Sequence, residues 1–299
     1  MRNAFAEVIL EEAEQKTIIL VTGDLGYGVF EKFQEKFPAN FLNAGITEQS
    51  MTSLAAGLSD EGWLPVVYSI ANFPTLRNFE QIRNDIAYPG RHVVICSVGA
   101  GLSYGSLGSS HFALEDLAVM RSLPNMRILS PSDTLRARLA TFSALEIQVP
   151  TYLRLGKSGE SNFGPTEQDA HLSFRQITRG TEAFCVFSTG SIGLQVANAI
   201  SSMNSHVTHI SIEELGEIEE ELVDIVSNLK TIVTVEEHGQ VGGLFSWVSE
   251  LIQLTGLKAR VIPLSANAMG IKSAGKHSYM RDQAGLSIEA IKDTILKNA

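Results

Sequence analysis

The sequence predicts an α/β protein built from two doubly wound, mostly parallel sheets. Short continuous apolar runs alternate with longer amphipathic stretches, as in strands covered by helices on both faces. The alternation fades across a polar stretch rich in Ser and Gly and then restarts. The 299 residues also suffice for about two domains, each with its own core. The expected division is a first domain over 1–160, a linker over 161–180 and a second domain over 181–299.

In the first domain, Phe5, Val8, Ile9 and Ala13 recur at helical spacing within 2–15. Strands are expected over 17–22, 64–68, 92–98 and 151–157, each an apolar run bounded by turn residues. Between them lie helices from Glu48 onward, over 78–86 and over 134–145, the last capped by Asp133. The segment 126–133 reads as a strand followed by that cap. In the second domain, strands are expected at 183–187, 207–212, 231–235 and 259–264. Helices are expected at 192–203, 213–228, after Gly242-Gly243 and at 286–297. The glutamates of 213–221 read as one solvated helix face.

Composition excludes several classes of function. A net charge of −10 without a basic stripe argues against nucleic-acid binding. No apolar run approaches the ~18 residues of a membrane span, and the N-terminus opens an amphipathic helix, not a signal peptide. Cys96 and Cys185 sit singly in apolar strands, as small core residues of a reducing compartment, so a cytoplasmic location is expected.

The chemistry concentrates at Phe41-Leu-Asn-Ala-Gly-Ile-Thr-Glu-Gln49, an extended segment that turns at Gly45 and enters a helix. Thr47 is placed to be the N-cap and Glu48 the first helical residue, flanked by Ile46 and Met51. A first-turn glutamate can simply favour the helix N-terminus. A carboxylate set among apolar and small residues can also face a ligand.

Gly45-Ile-Thr-Glu-Gln49 resembles the Gly-Ile-(Ala/Thr)-Glu-Gln signature of the pyrimidine-binding domain in thiamine-diphosphate enzymes of the transketolase group. His111-Phe-Ala-Leu-Glu-Asp-Leu-Ala-Val-Met-Arg-Ser-Leu-Pro-Asn125 likewise resembles a transketolase block. The resemblance implies that Glu48 is catalytic, hydrogen-bonding N1′ of the aminopyrimidine in a proton relay to the thiazolium carbon. It implies that Phe73 stacks on that ring, with Ile46 and Tyr68 also facing the cofactor, whereas Phe79 shares a core face with Ile82 and Ile86. His111, ending the glycine-rich loop 99–111, maps onto a histidine that contacts substrate oxygens and can shuttle a proton. A structural histidine is the alternative. Arg77 takes the place of a substrate-side arginine in the 1-deoxyxylulose-5-phosphate synthase branch, or else caps a helix at the surface. Arg154 and Lys157 stand where relatives hold a substrate phosphate; an exposed strand end is the plain alternative. Leu107 replaces an aspartate concerned with the acceptor's hydroxyl, which puts the usual sugar-phosphate preference in question.

The metal-diphosphate motif of these enzymes begins Gly-Asp-Gly, whereas this chain has Gly23-Asp-Leu25. Asp24 therefore reads as a turn residue, and no metal ligand is assigned. The loop 99–111 lacks the Gly-x-Gly-x-x-Gly spacing of a dinucleotide site. In the second domain, Ser188-Thr-Gly-Ser191 and Val235-Glu-Glu-His238 resemble the transketolase C-terminal domain, which carries no catalytic residue here. His238 and His277 read as partly exposed loop histidines, with a place near the cofactor mouth as the alternative.

The resemblance thus implies one subunit of a split transketolase-like enzyme. A separate N-terminal subunit would bind the diphosphate and Mg, in a heterotetramer that moves a two-carbon ketol unit from a ketose, phosphorylated in the expected case, to an aldehyde. The alternatives are a 1-deoxyxylulose-5-phosphate synthase-like or 2-oxoacid dehydrogenase β-like subunit, or a non-catalytic scaffolding partner.

Overall fold

The computed structural model describes residues 1–157, 159, 162–163, 172–180, 183–203, 206–216 and 218–299. Six strands form the first sheet: β1 (Ile18–Thr22), β2 (Phe41–Asn43), β3 (Leu64–Ile70), β4 (Val94–Val98), β5 (Arg127–Leu129) and β6 (Thr151–Leu155). Their order is β2-β1-β3-β4-β6-β5, and every pairing is parallel. The second sheet holds β7 (Phe174–Thr178), β8 (Phe184–Thr189), β9 (Thr208–Ile212), β10 (Thr231–Glu236) and β11 (Arg260–Ser265). Its order is β11-β10-β8-β9-β7, parallel except for β7, which runs antiparallel to β9. Two mostly parallel, helix-covered sheets are thus present, as the alternating pattern predicts.

Because a strand buried on both faces alternates its side chains, each sheet feeds two cores. In the first sheet Ile19, Val21, Val67 and Ile95 face one way, and Leu20, Val66, Tyr68 and Cys96 the other. The first set continues through Leu117, Met120, Leu215 and Trp247 into Cys185, Phe187 and Ile210 of the second sheet. One apolar layer therefore joins the two sheets. Both cysteines are fully buried, and burial pushes their thiols up.

Three elements depart from expectation. Strand β7 falls inside the stretch expected as linker; residues 164–171 of that stretch lie outside the described residues. The expected helix over 78–86 is a short turn, Phe79–Gln81, followed by a π-helical segment, Ile82–Ala87. The helix expected from 213 begins only at Glu220, and Glu213 is buried, not solvated. Its carboxylate accepts from the Ser132 backbone N–H at 2.7 Å and the Ser132 hydroxyl at 2.5 Å. Among the described residues, no helix is long and apolar enough to cross a membrane.

His209 sits fully buried in β9, its Nε2 2.8 Å from Ser188 Oγ, and burial holds its pKa down to about 3. The folded state therefore keeps this ring neutral while the unfolded chain protonates it near the ordinary 6.5. Its contribution is whole above pH 6.5 and is lost as pH falls from there toward about 3. Between about pH 7 and about pH 4.5 this one group should remove roughly 2–3 kcal/mol from unfolding stability. Urea unfolding at the two pH values checks it: His209→Gln should show a pH dependence shallower by that amount.

Candidate active site

The candidate site lies at the carboxyl ends of the first sheet's strands, where ligands of open α/β sheets bind. Gly45 turns the chain after β2 with φ +72°, a left-handed conformation that glycine adopts freely. Asn43 fixes this corner: its Oδ1 accepts from the N–H of Asp24 at 3.0 Å and of Gly45 at 2.9 Å. Asp24 is itself a turn residue with φ +57°. The Tyr27 hydroxyl, then the Asn43 amide, donate to its carboxylate and hold it below the usual range.

The helix Glu48–Asp60 starts immediately after this corner and buries Met51, Ala55 and Ala56 against β3. Thr47 is its N-cap residue, but its hydroxyl donates backwards to the Ala44 carbonyl at 2.7 Å and makes no side-chain cap. Glu48 is only 7% exposed. Its Oε1 accepts from Arg77 Nη1 at 2.8 Å. The Arg77 guanidinium in turn lies over the Phe73 ring, 4.1 Å from its centroid. Phe73 meets the His111 imidazole edge to face, with centroids 5.2 Å apart. Asn72 Nδ2 donates to the Ser110 carbonyl at 2.5 Å and pins the end of the loop beside that pair. Four predicted residues, Glu48, Arg77, Phe73 and His111, thus form one continuous chain of contacts. They come from three separate segments after β2, β3 and β4.

Other predicted site residues fall elsewhere. Ile46 is 71% exposed on the turn ahead of Glu48. Lys157 is exposed, its Nζ 5.1 Å over the Tyr104 ring on the glycine-rich loop. Tyr68 requires correction. It follows Val67, which faces the Glu48 helix, so it points to the opposite face of β3. There it packs against Phe30 at 4.7 Å and Phe5 at 5.9 Å, and burial drives its phenol pKa upward.

Arg154 also requires correction as a phosphate ligand. It is 2% exposed, and its Nε and Nη2 donors are engaged within the protein. Nε donates to Asp116 Oδ2 at 2.7 Å, and Nη2 donates to the Ala113 and Glu237 carbonyls at 3.0 Å each. Asp116 also accepts from the Tyr152 hydroxyl at 2.6 Å. Asp116 of the His111 block, paired with Arg154, therefore supplies a buried anchor between the two sheets, while Glu115 beside it is exposed.

The second domain reaches the glycine-rich loop through residues that local sequence did not reveal. Glu237 Oε1 accepts from the Leu102 N–H at 2.6 Å, and His277 Nε2 lies 2.6 Å from the same oxygen. Arg281 pairs with Glu237 Oε2 at 2.6 Å. Burial opposes the Glu237 charge, yet Arg281 and His277 outweigh it and hold the carboxyl far below its ordinary range. Gly101 and Gly105 permit the close approach: a Cβ on Gly105 would lie 2.2 Å from Met280 Cγ, and one on Gly101 2.6 Å from Glu237 Cγ. His238 is fully buried, not a loop histidine. Burial holds its pKa down to about 4, and its Nδ1–H donates to the Gly239 carbonyl at 2.7 Å, leaving Nε2 to accept from Ala118 N–H at 3.4 Å.

The geometry suits a planar ring that carries or receives a proton. A planar cationic guanidinium already satisfies both the buried Glu48 carboxylate and the Phe73 face, so an aminopyrimidine fits the same pair of contacts. Among the described residues, no group of three or more His, Cys, Asp or Glu is placed to hold a metal ion.

Comparison with known proteins places the chain. Residues 1–159 match the transketolase pyrimidine-binding domain family, and the chain belongs to that family. It is 29% identical to a putative transketolase C-terminal section of Methanocaldococcus jannaschii, across 99% of this chain and 95% of that protein. It is also 29% identical to one subunit of an apulose-4-phosphate transketolase of Phocaeicola vulgatus, across 87% of this chain and 86% of that protein. A solved structure described as a split-gene transketolase, inactive β4 tetramer, superposes with a TM-score of 0.85 at 29% identity, covering 99% of this chain and 96% of that one.

Proposed function

We propose that this chain is the pyrimidine-holding subunit of a split transketolase-like transferase. It would move a two-carbon ketol unit from a ketose, phosphorylated on this reading, to an aldehyde. Its cofactor would be thiamine diphosphate. A separate N-terminal subunit would hold the diphosphate and Mg, within a heterotetramer. The observation that carries this reading is the contiguous set of the buried Glu48 with Arg77, Phe73 and His111 at the mouth of the first sheet. The names of the relatives, a transketolase C-terminal section and a separate transketolase subunit, support the division of labour.

Bound thiamine diphosphate supplies the electron sink for carbanion chemistry. The chain's own residues would hold and aim it. Glu48, only 7% exposed, would hold a proton at the aminopyrimidine N1′. Phe73 offers its ring face to the pyrimidine. His111 has Nδ1 engaged 3.0 Å from Ser110 Oγ, which leaves Nε2 to exchange a proton with substrate oxygens. Tyr27, Ile46, Leu76 and Leu107 follow β1 to β4 in turn and are between 45% and 75% exposed. Such an apolar rim suits coverage by a partner subunit. Arg77 and Lys157 are the cations left for a substrate phosphate, since Arg154 is committed to Asp116.

The test is reconstitution. This chain, mixed with a Gly-Asp-Gly…Asn-bearing transketolase subunit, thiamine diphosphate and Mg, should transfer ketol units from a ketose phosphate, and neither chain alone should. A stable complex with no transfer from any ketose donor would refute the proposal.

A further inference from the structure

Arg77 makes the two contacts that the cofactor ring would need. Its Nη1 donates to Glu48 at 2.8 Å, and its guanidinium covers Phe73 at 4.1 Å. The two partners differ in exposure: the Glu48 side chain is 8% exposed and that of Arg77 49%. The carboxylate is therefore set into the protein, and the guanidinium reaches it from the open side. A guanidinium is planar, delocalised and rich in N–H donors, attributes shared with a protonated aminopyrimidine. The backbone beneath it is held independently, with the Arg77 carbonyl accepting from Gln49 Nε2 at 3.2 Å. The side chain can therefore swing while the chain stays in place.

We propose that Arg77 is a built-in placeholder for the aminopyrimidine. In the free chain it keeps Glu48 paired and Phe73 covered. When the cofactor ring takes both contacts, the guanidinium turns outward and becomes the cation that meets the anionic end of the substrate. This rests on the cofactor assignment of the preceding section and adds to it an ordered handover. An ion pair half open to water shifts an equilibrium by no more than about tenfold, so displacement needs no unfolding. The same arginine then acts against cofactor binding and in favour of substrate binding.

Those opposite signs provide the test. In the assembled enzyme, Arg77→Met and Arg77→Gln should each bind thiamine diphosphate about three- to tenfold more tightly. Both should raise KM for a ketose phosphate by about tenfold or more, with KM for the unphosphorylated ketose nearly unchanged. A merely structural arginine would weaken both ligands together. In the chain alone, the Arg77 Nη–H resonances should report a paired guanidinium, and Glu48→Ala should abolish that signature. Unchanged or weakened cofactor affinity in both Arg77 variants overturns the placeholder and leaves the cofactor assignment standing, as do Nη–H signals indifferent to Glu48→Ala. Wild-type turnover in Glu48→Gln would instead remove the cofactor assignment, and the placeholder with it.

Discussion

Glu48→Gln should lower ketol transfer by the assembled enzyme by at least about 100-fold, the scale on which proton-transfer groups contribute. Glutamine keeps the size and shape of the side chain but removes the proton exchange at the pyrimidine. Folding should survive. The lost ion pair is half exposed on the Arg77 side, so the stability change should stay within about 1 kcal/mol. The check is kcat in the reconstituted enzyme beside urea unfolding of the isolated chain. Turnover within about twofold of the unmodified protein would show that the carboxylate plays no part in the reaction.

The second large effect concerns stability. Asp116 is 1% exposed and Arg154 2%, so removing either partner strands a buried charge. Arg154→Met should cost about 3–5 kcal/mol of unfolding free energy. The double change Arg154→Met with Asp116→Leu should recover much of that, because no uncompensated charge remains. Urea unfolding of the single and double variants separates the cases. If Arg154 instead bound a substrate phosphate, the single change would raise KM and leave the unfolding midpoint where it was.

These two residues also mark what the sequence can and cannot convey. The placement of Glu48 is legible because its determinants are local: a turn glycine, a capping position and a carboxylate follow one another within four residues. Phe73 and His111 are legible from their own segments, yet nothing local indicates that Arg77 bridges Glu48 and Phe73. Arg154 reads as a free cation at a strand end because its partner, Asp116, lies 38 residues away. Tyr68 reads as a cofactor neighbour because β3 is buried on both faces, and a strand apolar throughout does not reveal which residues face which side. Glu213 reads as surface because acidic runs usually are. Its burial depends on Ser132, a residue from the other sheet's domain. Strand β7 hides in a polar stretch because an edge strand has one flank to pair and needs little apolar sequence.

The loop that ends in His111 rests on the second domain, through Leu102 on Glu237 and Gly105 on Met280. The C-terminal half is thus the mould in which the glycine-rich loop is cast, even though it contributes nothing to the chain of contacts around Glu48. Exchanging that half for a relative's would change the shape of the candidate site's mouth without altering a single residue in it.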